Sequence, residues 1–304
     1  MAVLEIPAYA KINLSLDVLG KRPDGYHELK MIMQTVELHD TVRLETTGEA
    51  GIVLKCGSRF VPEDKTNTAW KAAALLMNRY GIKGGVRIDI VKRIPVAAGM
   101  AGGSADAAAV LRGLNELFSL GLGCDTLREL GKLVGADVPY CIEGGTRLAE
   151  GIGERLTVLP DFSGIDILLV KPGIGVSTAW VYGNLKADEI SDEERPDTDM
   201  LVSAIRTHDA ATVAGNMKNV LERVTIPRHG VIREAKARLV ELGALGSMMS
   251  GSGPTVFGIF PDAASAAEAL QKLSADHRWI CFQTRTAGLT DGVIQDDPIR
   301  SKTI

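Results

Sequence analysis

The sequence predicts an α+β protein of two domains, and three observations carry that expectation. The length of 304 residues fits two domains at about 150 residues each. The chain opens with extended, apolar and β-branched segments before any helical pattern appears. From residue 165 the elements read β-α-β-β-α-β, the ferredoxin-like split βαβ order, once a helical insertion is counted within the crossover. The expected boundaries are 1–160 for the first domain and 161–290 for the second, with a loose polar tail over 291–304.

Residues 2–19 read as a strand that continues past Lys11. KRPDGY, residues 21–26, is a turn, because Pro23 presets φ and Asp24-Gly25 favours a reversal. Strands follow over 31–46 and 51–55. KTNTAWKAAALLMNRYGIKGG is a helix that Thr66, Asn67 or Thr68 can cap, with Gly81 suited to its C′ position. Residues 86–95 alternate as a strand does and stop at Pro95. Small residues crowd 97–105, and SADAAAVLRGLNELFSL runs on as a helix. A further helix fits 126–134, where Thr126 and Glu129 have capping-box spacing, and short strands are expected at 139–143 and 146–149.

In the second unit, 165–171 is an apolar strand ended by Pro172-Gly173. The acidic segment 187–199 reads as a surface excursion, followed by helical stretches near 200–218 and 228–242. SMMS, the turn at Gly251-Ser252-Gly253-Pro254 and TVFGIF form a hairpin. AASAAEALQKL is a helix and WICFQTRT a closing strand.

Composition removes several classes of function. Hydrophobic residues at 45% and charged residues at 24% exclude general disorder. A formal net charge of -4 does not suit a general nucleic-acid or anionic-membrane binder. The four cysteines and five histidines show no metal-ligand spacing, so no protein metal cage is expected. No signal-peptide pattern and no apolar run of about 18 residues is present, so the expected compartment is the cytoplasm.

The most informative segment is PVAAGMAGGSADAA, residues 95–108. A strand feeds a loop of small residues that opens a helix, whose free N–H groups and partial positive charge suit a phosphate. Gly99, Gly102 and Gly103 are expected to adopt positive φ so that N–H groups converge on one anion, and Ser104 adds a hydroxyl. Read alone, the same loop serves equally as a tight strand–helix turn. Neither G-x-x-x-x-G-K-[ST] nor G-x-G-x-x-G occurs, and H-R-D and D-F-G are absent. P-loop, Rossmann and protein-kinase sites are therefore disfavoured. Lys11 is a lone cation in an apolar β pattern, either buried with an anionic partner or reaching out to solvent. SGSGPTVFGIF, residues 250–260, is either a second close-approach loop or a hairpin turn.

Taken together and in order, AYAKINLSLDVLGKRPDGYHEL, the 95–108 loop and SGSGPTVFGIF resemble the three motifs of the GHMP kinases, which include galactokinase, homoserine kinase and mevalonate kinase. The likeness runs from Ala8 to about Gly288. With GADVPYCIEGGTRLAEGIGE, residues 135–154, it is similar to the member whose acceptor carries a diphosphocytidyl group and serves isoprenoid precursor synthesis. The loop departs from many relatives in having Ala97, Ala98 and Ala101 where they have glycine.

The resemblance implies an N-terminal domain of the ribosomal-protein-S5-domain-2-like type with a left-handed βαβ unit, a ferredoxin-like C-terminal domain and an active site between them. It implies ATP, with Mg²⁺ carried on the nucleotide, bound by Pro95, Val96, Ala97, Ala98, Gly99, Met100, Ala101, Gly102, Gly103, Ser104 and Ala105. Asp137 becomes the catalytic base and Lys11 its cationic partner. Asn13, Tyr26, His27 and Tyr182 become substrate contacts, with Trp180 the rival of Tyr182 as the second face of a cytosine clamp. The partner is a small-molecule alcohol, with neither nucleic acid nor membrane, on a monomer or homodimer. The rival readings are a homoserine or mevalonate type of kinase and a non-catalytic nucleotide-binding regulator. The Tyr26-His27 pair speaks against the first and the joint presence of Lys11 and Asp137 against the second.

Overall fold

The computed structural model describes residues 2–288, so the expected tail at 291–304 lies outside the described residues. β1 (Val3–Lys21) and β2 (His27–Thr47) form a long antiparallel hairpin around the Pro23–Gly25 turn. Register shifts between Tyr9 and Lys11 and between Asn13 and Ser15 bracket residues 11–13. Such bulges re-aim side chains, and here they lie where the motif lysine and asparagine sit. β3 (Gly51–Lys55) and β4 (Gly85–Val91) pair in parallel, joined by α1 (Thr68–Arg79). Asn67 caps α1 through its side chain, which accepts the Ala69 N–H.

β4 ends at Val91, short of Pro95, because Lys92 turns inward to an ion cluster and Arg93 and Ile94 donate their N–H groups to Asp40 instead of a ladder. α2 (Gly102–Leu117) and α3 (Cys124–Val134) follow. The strand expected at 139–143 is instead α4 (Val138–Glu143). Pro139 sits in its first turn, where the missing N–H costs nothing. The short helix packs on α2, α3 and β1, so its apolar run reads as buried helix rather than strand. β5 (Thr146–Gly151) and β6 (Arg155–Val158), the latter not foreseen, complete a sheet ordered β3-β4-β2-β5-β6 with β1 on β2. One face of this sheet is covered by α1 and α2, whose alanines let helix and strand approach closely.

The second sheet begins at β7 (Asp166–Pro172). α5 (Thr178–Asn184), also unforeseen, is capped by Ser177, and the acidic excursion contains two single 3₁₀ turns, Ala187–Glu189 and Asp192–Glu194. The expected 200–218 helix divides into α6 (Thr198–Arg206) and α7 (Ala210–Asn216), with Asp209 capping the second. α8 (Glu222–Arg228) and α9 (Gly230–Glu241) lead to β8 (Gly246–Met249) and β9 (Val256–Phe260). α10 (Ala263–Ser274) and β10 (Trp279–Arg285) close the chain. The order β10-β7-β9-β8, all antiparallel, is the ferredoxin-like sheet expected from the sequence.

Candidate active site

A cleft of about 1120 Å³ runs between the two sheets' domains. Its nucleotide side is the small-residue loop: Pro95, Val96, Ala97, Ala98, Gly99, Ala101, Gly102, Gly103 and Ser104 line it, whereas Met100 and Ala105 point into the core. Gly99 adopts φ +74, as expected of a close-approach glycine. Gly102 and Gly103 do not. They are the first helical residues of α2, and the left-handed conformations fall on Ala97 (φ 51) and Ala101 (φ 56). A sequence argument assigns such angles to glycine, so the two alanines carry strain the loop must hold by packing. A Cβ on Gly99 would stand 2.3 Å from the Ser250 carbonyl oxygen, and Ser250 Oγ donates to the Gly99 carbonyl at 2.9 Å. The third motif thus packs on the second, backbone to backbone.

α2 has no side-chain cap. Among the described residues no acceptor takes the N–H groups of residues 102–104, and the first bonded N–H is that of Ala105, to Ala101. Three free donors therefore meet at the head of a 16-residue helix, which is an anion site by construction.

Lys11 and Asp137 both line the cleft. The expected direct ion pair is not formed. Lys11 is buried and its Nζ donates to Asn13 Oδ1 at 2.7 Å, because Asn13 is on the same strand face two residues on. Asn13 is fully buried, does not line the cleft and also accepts the Gly251 N–H at 3.1 Å while its amide donates to the Met31 sulfur at 3.3 Å. Asp137 is half-buried at the head of α4, and among the described residues its carboxylate accepts no hydrogen bond. It is left open to a ligand hydroxyl. Cys141, one turn along α4, has its thiol pushed up by burial and then by Asp137.

Sequence reasoning missed a cluster beneath the loop. Lys92 Nζ bonds to Asp40 and, at 2.7 Å, to Asp106, and both Lys92 and Asp106 line the cleft. Burial alone would lower the Lys92 ammonium, yet the two carboxylates together raise it. Burial pushes the Asp106 carboxyl up to about 7. Asp106 Oδ1 is buried without a partner among the described residues. The available signals were an acid within an alanine-rich helix and a lysine just ahead of the loop.

The opposite end of the cleft is aromatic. Tyr26 is 60% exposed at the tip of the β1–β2 hairpin, and the His27 ring lies 5.2 Å from the Tyr182 ring at 37°. Burial first and the Lys21 ammonium second hold the His27 imidazole below its ordinary value, which favours the neutral ring. Burial pushes the Tyr182 phenol up. Trp180 does not line the cleft. Arg228 covers it at 4.5 Å, so of the two aromatics on α5 only Tyr182 faces the cavity. Thr178 and Ser252, joined at 2.8 Å, line the wall between the two ends.

Comparison with known proteins bears on the family and the fold. The family description "GHMP kinases N terminal domain" matches residues 67–145, and "GHMP kinases C terminal" matches 201–278. The chain is 58% identical over 286 residues to 4-diphosphocytidyl-2-C-methyl-D-erythritol kinase of Acetivibrio thermocellus, covering 94% of this chain and 100% of that one. It is 50% identical over 281 residues to the same-named protein of Clostridium kluyveri, covering 92% and 99%. A crystal structure of 4-(cytidine 5'-diphospho)-2C-methyl-D-erythritol kinase superposes with a TM-score of 0.81 at 31% identity over 94% of this chain and all of that one. Homoserine kinase from Cytophaga hutchinsonii shares the fold, with a TM-score of 0.76 at 18% identity over 96% of each chain. With relatives over its whole length named as kinases, the chain is a small-molecule kinase. The chain belongs to the GHMP kinases.

Proposed function

We propose that the protein uses ATP to phosphorylate the 2-hydroxyl of 4-diphosphocytidyl-2-C-methyl-D-erythritol, a step of non-mevalonate isoprenoid precursor synthesis. The observation that carries this reading is the two-ended cleft. Free helix N–H groups stand at one end, a His27–Tyr182 aromatic pair at the other, and Asp137 and Lys11 line the cavity with them. The names of the relatives at 58% and 50% identity supply the acceptor.

Phosphoryl transfer needs positioning and charge stabilisation more than covalent chemistry. In this reading the N–H groups of residues 102–104 hold the phosphates. Asp137, whose oxygens are uncommitted, takes the proton from the acceptor hydroxyl as the in-line transfer proceeds. Lys11, aimed by Asn13, stabilises the developing alkoxide through the field of its ammonium. His27 reads the base edge, and Tyr26 and Tyr182 supply flat surfaces for cytosine. Among the described residues no group of three or more His, Cys, Asp or Glu side chains is placed to hold a metal ion. Mg²⁺ would be carried by the nucleotide, because it keeps water and phosphate ligands, and the Ser104 hydroxyl, which lines the cleft, would be its protein contact. When bound, the ion supplies neutralisation of phosphate charge. No helix among the described residues is long and apolar enough to cross a membrane.

The test is a coupled ADP-release assay with three acceptors: the diphosphocytidyl alcohol, homoserine and mevalonate. Turnover confined to the first supports the reading. Turnover of either other acceptor without the first overturns it, and ATP binding with no turnover of any favours a regulator.

A further inference from the structure

The acidic excursion at 187–199 is not a passive surface loop. Arg223 holds Glu194 through both carboxylate oxygens at 2.8 Å, and Lys218 donates to the Glu193 carbonyl at 2.6 Å. These contacts fasten the back of the excursion to its own domain. The excursion's own cation, Arg195, turns the other way. The guanidinium donates to Asp17 Oδ1 at 2.6 Å, to the Val18 carbonyl at 3.2 Å and to the Ala187 carbonyl at 3.1 Å. Asp17 is buried on β1, four residues before Lys21, whose cross-strand partner is His27. Ala187 lies two residues beyond Leu185, a cleft-lining residue, and five beyond Tyr182. One planar fork thus joins the hairpin that carries His27 to the chain that leaves the Tyr182 helix, and these belong to different domains. It touches none of the loop at 95–104.

We propose that Arg195 is a positioning residue that fixes the spacing of the aromatic, base-binding end of the cleft by stapling the segment after α5 to β1. The inference rests on the reading of the acceptor as a diphosphocytidyl alcohol. A rigid guanidinium reaches a carboxylate and two carbonyls at once, which a lysine ammonium on a flexible stem does not reproduce. Loss of the staple lets α5 drift from the hairpin. The cost falls on acceptor binding and spares the nucleotide loop.

The experiment measures kcat and both KM values for Arg195→Met, Arg195→Lys and Asp17→Asn, with thermal melting as a check of folding. Arg195→Met is expected to raise the acceptor KM about tenfold or more, as a loosened base–aromatic stack would, while kcat and the MgATP KM stay within about twofold. Arg195→Lys is expected to restore part of the affinity, and Asp17→Asn to shift the same constant less. Should Arg195→Met fail to fold, the other two variants carry the test. A parallel rise in both KM values, or no rise in any variant, overturns the staple while leaving the acceptor assignment intact. A wild type that does not turn over the diphosphocytidyl alcohol overturns the acceptor assignment and the staple with it.

Discussion

Asn13 Oδ1 takes two hydrogen bonds, one from Lys11 Nζ at 2.7 Å and one from the Gly251 N–H at 3.1 Å. A single amide oxygen therefore sets the aim of the motif lysine and ties it to the third loop, which itself packs on Gly99. Asn13→Leu should lower kcat by about ten- to a hundredfold, because Lys11 loses its orienting partner. It should also cost about 1–3 kcal/mol of stability from the Gly251 donor left unpaired. Asn13→Asp keeps an acceptor and should recover much of kcat. Steady-state kinetics and melting of both variants check this, and equal kcat in the Leu variant and the wild type would remove Asn13 from the account.

Gly99 and Ala101 should respond in opposite directions. Gly99→Ala adds a Cβ 2.3 Å from the Ser250 carbonyl at φ +74, so the second and third motifs must part. MgATP affinity and melting temperature should both fall. Ala101→Gly relieves a left-handed alanine at φ 56 and should gain up to about 1 kcal/mol, net of the unfolded chain's added freedom. Isothermal titration and thermal melting of the two variants measure both effects. A stable Gly99→Ala protein with full nucleotide affinity would mean that the two loops need not touch.

Asp106 gives the protein a pH-dependent stability. Its folded carboxyl is pushed up to about 7 from 3.8, so the folded state binds the proton more tightly than the unfolded chain. Its contribution is fully present below about pH 4 and is lost as pH rises through about 7. Asp106→Asn should flatten the fall in melting temperature across that window. An unchanged profile in the Asn variant would assign the dependence to another group.

Tyr182→Ala should weaken the diphosphocytidyl acceptor by about 1–3 kcal/mol, the range for a base stacked on an aromatic ring. Tyr26→Ala should do the same if the hairpin tip closes the other face, and MgATP affinity should change little in either variant. Trp180→Ala should have a small effect, since Arg228 covers that ring away from the cleft. Direct titration of the acceptor decides between them, and a large loss confined to Trp180→Ala would move the clamp off Tyr182.

What the sequence made legible was local. The loop at 95–104 stood out because small residues between a strand and a helix have few other uses, and the β-α-β-β-α-β order after residue 165 gave the second sheet directly. PYCIE, residues 139–143, reads as a strand because five residues carry no period long enough to separate strand from helix. The left-handed Ala97 and Ala101 were hidden because alanine seldom takes that conformation. The Asp40–Lys92–Asp106 cluster joins β2, the end of β4 and α2, and no spacing rule connects residues so far apart. Lys11 and Asp137 were singled out through a family likeness, but no spacing rule shows that Asn13, expected as a substrate contact, takes the Lys11 ammonium instead.

Whether Asp137 takes the acceptor's proton in the transfer step is decided by single-turnover phosphoryl transfer in Asp137→Asn with saturating MgATP and diphosphocytidyl alcohol. The substitution is nearly isosteric and removes no hydrogen bond that the carboxylate accepts among the described residues, so folding and both affinities should hold. The transfer rate should fall by about 10²–10⁴, the range for general-base assistance. A rate close to that of the wild type would contradict that role.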